Sequence, residues 1–386
     1  MNILIDIRPL MDERYSGVAE YTLELLQAIF QLDKVNNYWL FYNSFQDVSH
    51  RLPIFEQTNV KIVRTKFPNK IFNYALLKLW GRPYFDRLVG QPIDIFFMPH
   101  LNFASWSPKV RTVLTVHDIS FIHFPEYFSW RKNVWHYLLS VKKLLNRCHT
   151  IFTLSDNTRS DVLRYGQVPE HTVTTIFSGI SDSFFRLKKD DAGLMTIKQK
   201  YNLPDNFILC LGTIEPRKNI EGLIAAFEII KKDSRQQDLK LVIVGGYGWK
   251  AKSVYTQARK SVYHQDIIFL GYVAAEEKVY LYNAALLFIY PSFYEGFGFP
   301  PLEAMSCGTP TIVSATSSLP EIVDTAALLI DPYNPATIAA AALSVLNDPE
   351  LDQRLSLAGE QRAKEFQWGK TAEQYLELFT RMSEGE

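Results

Sequence analysis

Glu295 and Glu303 bracket a short segment, Gly296-Phe297-Gly298-Phe299-Pro300-Pro301-Leu302, whose composition suits an oxygen-rich ligand. Gly296 and Gly298 leave backbone N–H groups uncovered, so a phosphate or sugar can approach the main chain closely. Pro300-Pro301 can open a helix, where proline is tolerated, and a helix N-terminus adds partial positive charge suited to phosphate. Glu295 precedes the loop and Glu303 lies a turn into the helix, so the two can address opposite ends of one ligand. Glutamates at this spacing also occur by chance in a chain of 386 residues. Their meaning comes from the strand, glycine and proline context.

A second cluster is Leu211-Gly212-Thr213-Ile214-Glu215-Pro216-Arg217-Lys218-Asn219, read as a strand-to-helix turn. Arg217 supplies a planar fork and Lys218 a mobile point charge, a combination suited to a diphosphate at the edge of a cleft. His117-Asp118 closes a strand, where a lone histidine is structural as readily as chemical; Asp118 is expected to accept one ring proton and fix the tautomer. Ser16-Gly17 and Gly271-Tyr272-Val273 each follow a strand as well. The Gly245-Gly246-Tyr247-Gly248 turn reads equally as turn chemistry or as a pocket lining.

The elements that must position these groups follow a βαβ rhythm. Short β-branched runs at 3–7, 39–42, 60–63, 93–98, 112–116, 151–154 and 173–177 predict strands of a first domain. Runs at 207–211, 239–244, 266–270, 286–290, 311–314 and 327–330 predict those of a second. Amphipathic patterns predict helices over 18–30, 130–145 and 219–232. Residues 182–203 are charged and lack a strand pattern, so the domain junction falls there, and a last helix of about fifteen residues follows Phe366-Gln367-Trp368. The fold class is α/β, with two doubly wound Rossmann-like domains facing an interdomain cleft at the carboxyl ends of their strands.

Composition narrows the function. Forty-one basic residues balance 41 acidic ones, which argues against a nucleic-acid partner. Three widely spaced cysteines make neither a disulfide framework nor a zinc knuckle. Asp6 and Arg8 interrupt the apolar opening run, which reads as a first strand rather than a signal peptide, and the expected location is cytoplasmic. No Gly-x-Gly-x-x-Gly follows the first strand, which speaks against a dehydrogenase, and no Asp-x-Asp is present to hold a metal–diphosphate pair. No cofactor and no metal are expected.

Over nearly its whole length the chain resembles retaining glycosyltransferases of the GT-B fold, family four; residues 213–219 together with 245–249 look most like the bacterial mannosyltransferases of surface-polysaccharide assembly. The segment 291–310 and the turn 211–219 carry the likeness. The resemblance implies that Glu295 contacts hydroxyls of a donor sugar and Glu303 the nucleotide ribose. Gly296, Phe297, Gly298, Phe299 and Leu302 then belong to the donor site, and Tyr272 and Val273 meet the nucleobase. Arg217 and Lys218, beside Gly212, match the basic residues that grip the donor diphosphate; Thr213 stands where many members have a further arginine. His117 approaches the donor sugar and Gly17 lies near the phosphates, although Ser16 replaces a glycine there.

The implied organisation is a first, acceptor-side domain over 1–185, a nucleotide-sugar domain over 186–365, and a helix over 366–386 returning to the first. The implied reaction is metal-independent transfer of a hexose, with retention, to a glycan or lipid-linked acceptor. GDP-mannose is the donor the likeness favours and a UDP-sugar the alternative; a non-catalytic two-lobed sugar-binding protein is the rival from another class. Basic and aromatic residues mix over 64–84 (Lys66, Lys70, Lys78, Arg82 with Phe67, Phe72, Tyr74, Trp80). They mix again over 127–147 (Trp130, Arg131, Lys132, Trp135, Lys142, Lys143, Arg147), which suits peripheral contact with an anionic inner membrane face.

Overall fold

The computed structural model describes every residue except 14, 70, 71, 74, 75, 77–81, 385 and 386. The chain divides into two compact units: Met1–Ile119, Trp130–Gly179 and Gln367–Glu386 form one, and Ser120–Ser129 with Ile180–Phe366 form the other. The sequence did not reveal the excursion of Ser120–Ser129 into the second unit.

The first unit is built on β1 (Asn2–Asp6), β2 (Asn37–Asn43), β3 (Val60–Thr65), β4 (Ile95–Met98), β5 (Arg111–Val116), β6 (Thr150–Thr153) and β7 (Val173–Thr175), in the order β3-β2-β1-β4-β5-β6-β7. The second is built on β8 (Phe207–Leu211), β9 (Lys240–Val244), β10 (Ile267–Gly271), β11 (Leu287–Tyr290), β12 (Thr311–Ser314) and β13 (Leu328–Ile330), in the order β10-β9-β8-β11-β12-β13. Every pairing is parallel. Central strands such as β8 and β11 are buried along their full length, as parallel strands covered on two faces require. Each predicted strand run coincides with one of these, with ends displaced by a residue or two.

Helix signals were legible where a cap and a stripe agreed. Ile220–Ile230 buries Ile220, Leu223, Ile224, Phe227 and Ile230, and Asn219 caps it by accepting from Gly222 N at 3.2 Å. Residues 182–203 hold no strand, as expected, and contain the helix Ala192–Lys200, capped by Asp191, whose short span hid its period. One expectation changes. The stretch 130–145 is two helices, Trp130–Leu139 and Val141–Leu145, because Ser140 takes a left-handed φ of 51°. That turn re-aims the chain so that Val141, Leu144 and Leu145 are buried while Trp130, Val134, Tyr137 and Leu138 stay exposed.

The last helix, Trp368–Glu384, belongs to the first unit. Its Tyr375 hydroxyl lies 2.6 Å from Tyr21 Oη and 2.8 Å from Thr115 Oγ1. The Tyr375 ring packs on Phe97 and Phe152 at centroid distances of 5.3 and 4.5 Å. At its start, Trp368 lies so close to Gly179 that a Cβ there would meet its nitrogen at 2.3 Å. One buried hydroxyl thus ties the final helix to a central strand and to the Gly17–Leu32 helix. Tyr375→Phe should destabilise the first unit by about 1–3 kcal/mol by removing the buried hydroxyl that Tyr21 and Thr115 share, and Tyr375→Ala by about 3–5 kcal/mol. Urea titration followed by fluorescence checks both; equal midpoints for Tyr375→Phe and the unaltered protein would remove the hydroxyl from this role.

Candidate active site

In the second sheet the strand order reverses direction between β8 and β11, and parallel α/β sheets bind ligands outside the carboxyl ends at such a point. The turn after β8 carries Glu215, Arg217 and Lys218; the loop after β11 carries Glu295. The structure brings all four together. Arg217 Nη1 donates to Glu295 Oε2 at 2.7 Å and to the Tyr294 carbonyl at 2.7 Å, while Nη2 lies 2.8 Å from Glu215 Oε1. Lys218 Nζ donates to Glu295 Oε1 at 2.6 Å and also to the Tyr290 hydroxyl.

The cluster is buried: Glu215 is 3% exposed, Glu295 6% and Lys218 8%. This corrects the expectation that Lys218 stands open at the edge of a cleft; Arg217 is partly buried. Cations can be held out of water only when opposite charges and hydrogen bonds compensate them, and here two carboxylates do so. Burial pushes the Glu295 carboxyl up, yet the Arg217 and Lys218 charges outweigh it and hold the group near 2. Burial lowers the Lys218 ammonium, with Glu295 opposing and Arg217 adding to the fall. Tyr290 is raised well above its usual range by burial and by the Glu295 charge.

The backbone around the cluster is braced from several directions. Phe293 N donates to the Arg217 carbonyl at 2.9 Å, and Asn219 Nδ2 donates to the carbonyls of Pro291 and Pro332 at 3.1 and 2.6 Å. Glu295 N donates to Ser317 Oγ at 2.8 Å, and Ser318 Oγ donates to the carbonyls of Glu295 and Phe297. Tyr294 packs against His123 and Phe124 of the Ser120–Ser129 segment, and Phe293 stacks on Tyr127. The glycine turn after β9 proves to be more than a connection. A Cβ on Gly245 would meet the Gly212 carbonyl at 1.9 Å, so only glycine lets the two turns lie together.

The remaining expected site residues fall into three groups. Gly298, at φ 111°, precedes the Phe299–Ser306 helix, and a Cβ there would strike Leu319 at 2.8 Å. Gly296 and Phe297 are buried, Phe297 against Phe299 and Phe366. Leu302 is fully buried. Glu303, 4% exposed, accepts from the Tyr282 hydroxyl at 2.6 Å and lies 4.0 Å from Lys278 Nζ. Beyond β10, Tyr272 is half exposed and Val273 buried.

Gly17 and His117 lie in the first unit. Ser16 caps the helix that Gly17 begins, and a Cβ on Gly17 would meet nothing within 4 Å. His117 Nε2 lies 2.8 Å from the Pro99 carbonyl; since a carbonyl only accepts, Nε2 carries the proton. The backbone therefore sets this tautomer, and Asp118 acts on the ring through its charge, opposing the lowering by burial.

Sequence reasoning quoted Glu215 without giving it a task and missed Tyr290, Ser317 and Ser318. Glu215 had a signal in its place two residues before Arg217; the serines had none, being brought in from beyond β12.

Because Glu295 is held below its ordinary 4.5, it contributes stability that is complete above about pH 4.5 and is lost as pH falls through 2. The contribution is roughly 3 kcal/mol. Glu295→Gln should cost about 3–5 kcal/mol at neutral pH and should remove that acid-dependent loss. Unfolding followed from pH 6 down to pH 2 checks this; parallel losses in both proteins would contradict the paired carboxylate.

Comparison with known proteins shows the family. The family model described as "Glycosyl transferases group 1" matches residues 195–362, and "Glycosyltransferase Family 4" matches residues 15–184. The O-antigen chain mannosyltransferase B of Escherichia coli is 32% identical over 94% of this chain and 96% of its own length. Among solved structures, the sucrose-phosphate synthase of Thermosynechococcus elongatus superposes with a TM-score of 0.76 at 19% identity, covering 100% of both chains. Anabaena HepE in complex with UDP-glucose superposes at 0.74 and 17% identity, covering 99% of this chain and 100% of its own.

Proposed function

Since this chain belongs to the group 1, family four glycosyltransferases, we propose that it transfers mannose from GDP-mannose, with retention and without a metal, to a hydroxyl of a glycan or lipid-linked acceptor. The carrying observation is the Arg217–Lys218–Glu295 cluster at the carboxyl ends of β8 and β11. Membership sets aside the non-catalytic sugar-binding protein. The named activity of the E. coli relative favours mannose, and the UDP-glucose held by HepE keeps a UDP-sugar as the second reading.

In this reading the donor diphosphate competes with two carboxylates for cations that are already paired. Arg217 and Lys218 turn part of their charge towards the leaving group, where negative charge develops as the anomeric C–O bond breaks. Glu295, relieved of part of that pairing, accepts from sugar hydroxyls. The acceptor oxygen bonds the anomeric carbon on the face the leaving group departs from, and its proton passes to a leaving phosphate oxygen. Glu303 holds the ribose. In this reading the fixed side-chain charges of Arg217 and Lys218 do this work.

Lys218→Ala should lower kcat roughly ten- to a thousandfold. Because Lys218 is buried against Glu295, its unfolding midpoint must be measured alongside. Glu303→Gln should chiefly raise the donor KM, since a ribose contact is made equally in ground and transition states. A panel of nucleotide sugars, assayed with and without EDTA, identifies the donor. Full activity in folded Lys218→Ala, or strict dependence on added divalent metal, would overturn this mechanism.

The same proposal includes reversible docking of the first unit on an anionic membrane. Trp130, Val134, Tyr137 and Leu138 are 71%, 46%, 83% and 43% exposed on one helix, beside exposed Arg131, Lys132, Lys142 and Lys143. Of the other mixed stretch, Lys70, Tyr74, Lys78 and Trp80 lie outside the described residues, and Phe72 is buried. Each cation near such a surface contributes about 1 kcal/mol. Among the described residues no helix is long and apolar enough to cross a membrane. Sedimentation should show salt-sensitive binding to anionic vesicles, weakened by Tyr137→Ser and by neutralising Lys142 and Lys143; no binding at low salt would overturn docking.

A further inference from the structure

Glu303 stands on the Phe299–Ser306 helix, and a second helix, Lys278–Ala284, reaches its carboxylate. Positions 278 and 282 are one turn apart on the same helical face, and each addresses a different oxygen of that carboxylate. The Tyr282 hydroxyl donates to Glu303 Oε2 at 2.6 Å, and Lys278 Nζ lies 4.0 Å from Oε1. The first contact is a short hydrogen bond, whereas the second acts at that separation through charge. The phenol thus pins one oxygen of the pair.

Tyr282 can pin it because its own ring is confined. The residue is fully buried, and Phe184 and Phe288 meet the ring edge-on at centroid distances of 5.9 and 5.4 Å. Thr309 Oγ1 donates to the Tyr282 carbonyl at 2.7 Å. The next residue, Asn283, ties the same helix to residues 185–187: its Oδ1 accepts from Leu187 N at 2.7 Å, and its Nδ2 donates to the Phe185 carbonyl at 3.0 Å. Two side-chain torsions place a tyrosine ring, so a phenol oxygen held this way has a defined position. Burial and the Glu303 charge raise the phenol well above its usual range, so it keeps its proton and donates.

A ribose offers two neighbouring hydroxyls, and one carboxylate receives both only when it is turned to face them. A glutamate side chain left to rotate would lose that freedom on each binding event, which lowers affinity. We propose that Tyr282 is a positioning residue for the nucleotide: its hydroxyl holds Glu303 in the orientation that accepts the ribose diol, and so sets a preference for ribonucleotides over their deoxy forms. This rests on the reading of Glu303 as the ribose contact. A hydrogen bond that only satisfied a buried carboxylate would change stability and leave that preference alone.

Calorimetric titration of the full chain with GDP, UDP and the 2′,3′-dideoxy form of each measures the preference directly. The unaltered protein should bind the ribonucleotide of its own base roughly ten- to a hundredfold more tightly than the dideoxy form, as hydrogen bonds to a charged acceptor imply. Tyr282→Phe should weaken the ribonucleotide about tenfold and leave the dideoxy form unchanged. Tyr282→Met, whose flexible side chain can refill the space, is a second variant without the hydroxyl and should behave alike. Each variant is titrated below its own unfolding midpoint. In turnover, the donor KM should rise while kcat is kept. Glu303→Ala should abolish the preference, and adding Tyr282→Phe to it should change nothing further.

Equal weakening of ribo- and dideoxynucleotides, or unchanged ribonucleotide affinity in both Tyr282 variants, would overturn the role of Tyr282; loss of preference in Glu303→Ala would then leave the ribose contact standing. A Glu303→Ala protein that still prefers ribose overturns the contact and the proposal together, and so does the absence of nucleotide binding by the unaltered protein.

Discussion

Everything in the second unit's site depends on one carboxylate held by two cations. Glu295 receives Arg217 on one oxygen and Lys218 on the other, and none of the three is stable at its depth without the others. The pairing also fixes backbone. It draws the turn after β8 against the loop after β11, and the serines beyond β12 complete the brace. The site therefore rests with its charges internally balanced. Ligand binding in such a site is an exchange of partners, which favours ligands carrying both a strong anion and hydroxyl donors.

That pairing is possible because the sheet is parallel. All its strands end on one edge, and the reversal between β8 and β11 opens a gap in which two loops diverge. Glycine makes the neighbouring turns fit: Gly245 lies against the Gly212 carbonyl with no room for a side chain.

The C-terminal helix follows a separate logic. Tyr375 reaches Tyr21, 354 residues earlier, and Thr115, and the three hydroxyls satisfy one another in an otherwise apolar interior. A chain whose last element closes onto its first gains a long-range tie without any covalent link.

The local half of this protein was legible in its residues. Thirteen strand runs could be read from β-branched periodicity, and Asn219 announced the helix it caps. The turn and loop that carry Arg217, Lys218 and Glu295 were recognisable because glycine, proline and charge follow a strand there. Only the tertiary structure decided that Lys218 is buried and Arg217 partly buried with Glu295 and Glu215, that Ser140 breaks a helix, and that Ser120–Ser129 joins the second unit. The reason is physical. Periodicity and capping act over a few residues of contiguous chain, whereas Arg217 and Glu295 are 78 residues apart and meet because β8 and β11 are neighbours in the sheet. Burial and partner of a charged side chain are properties of that adjacency, and no spacing along the chain encodes them.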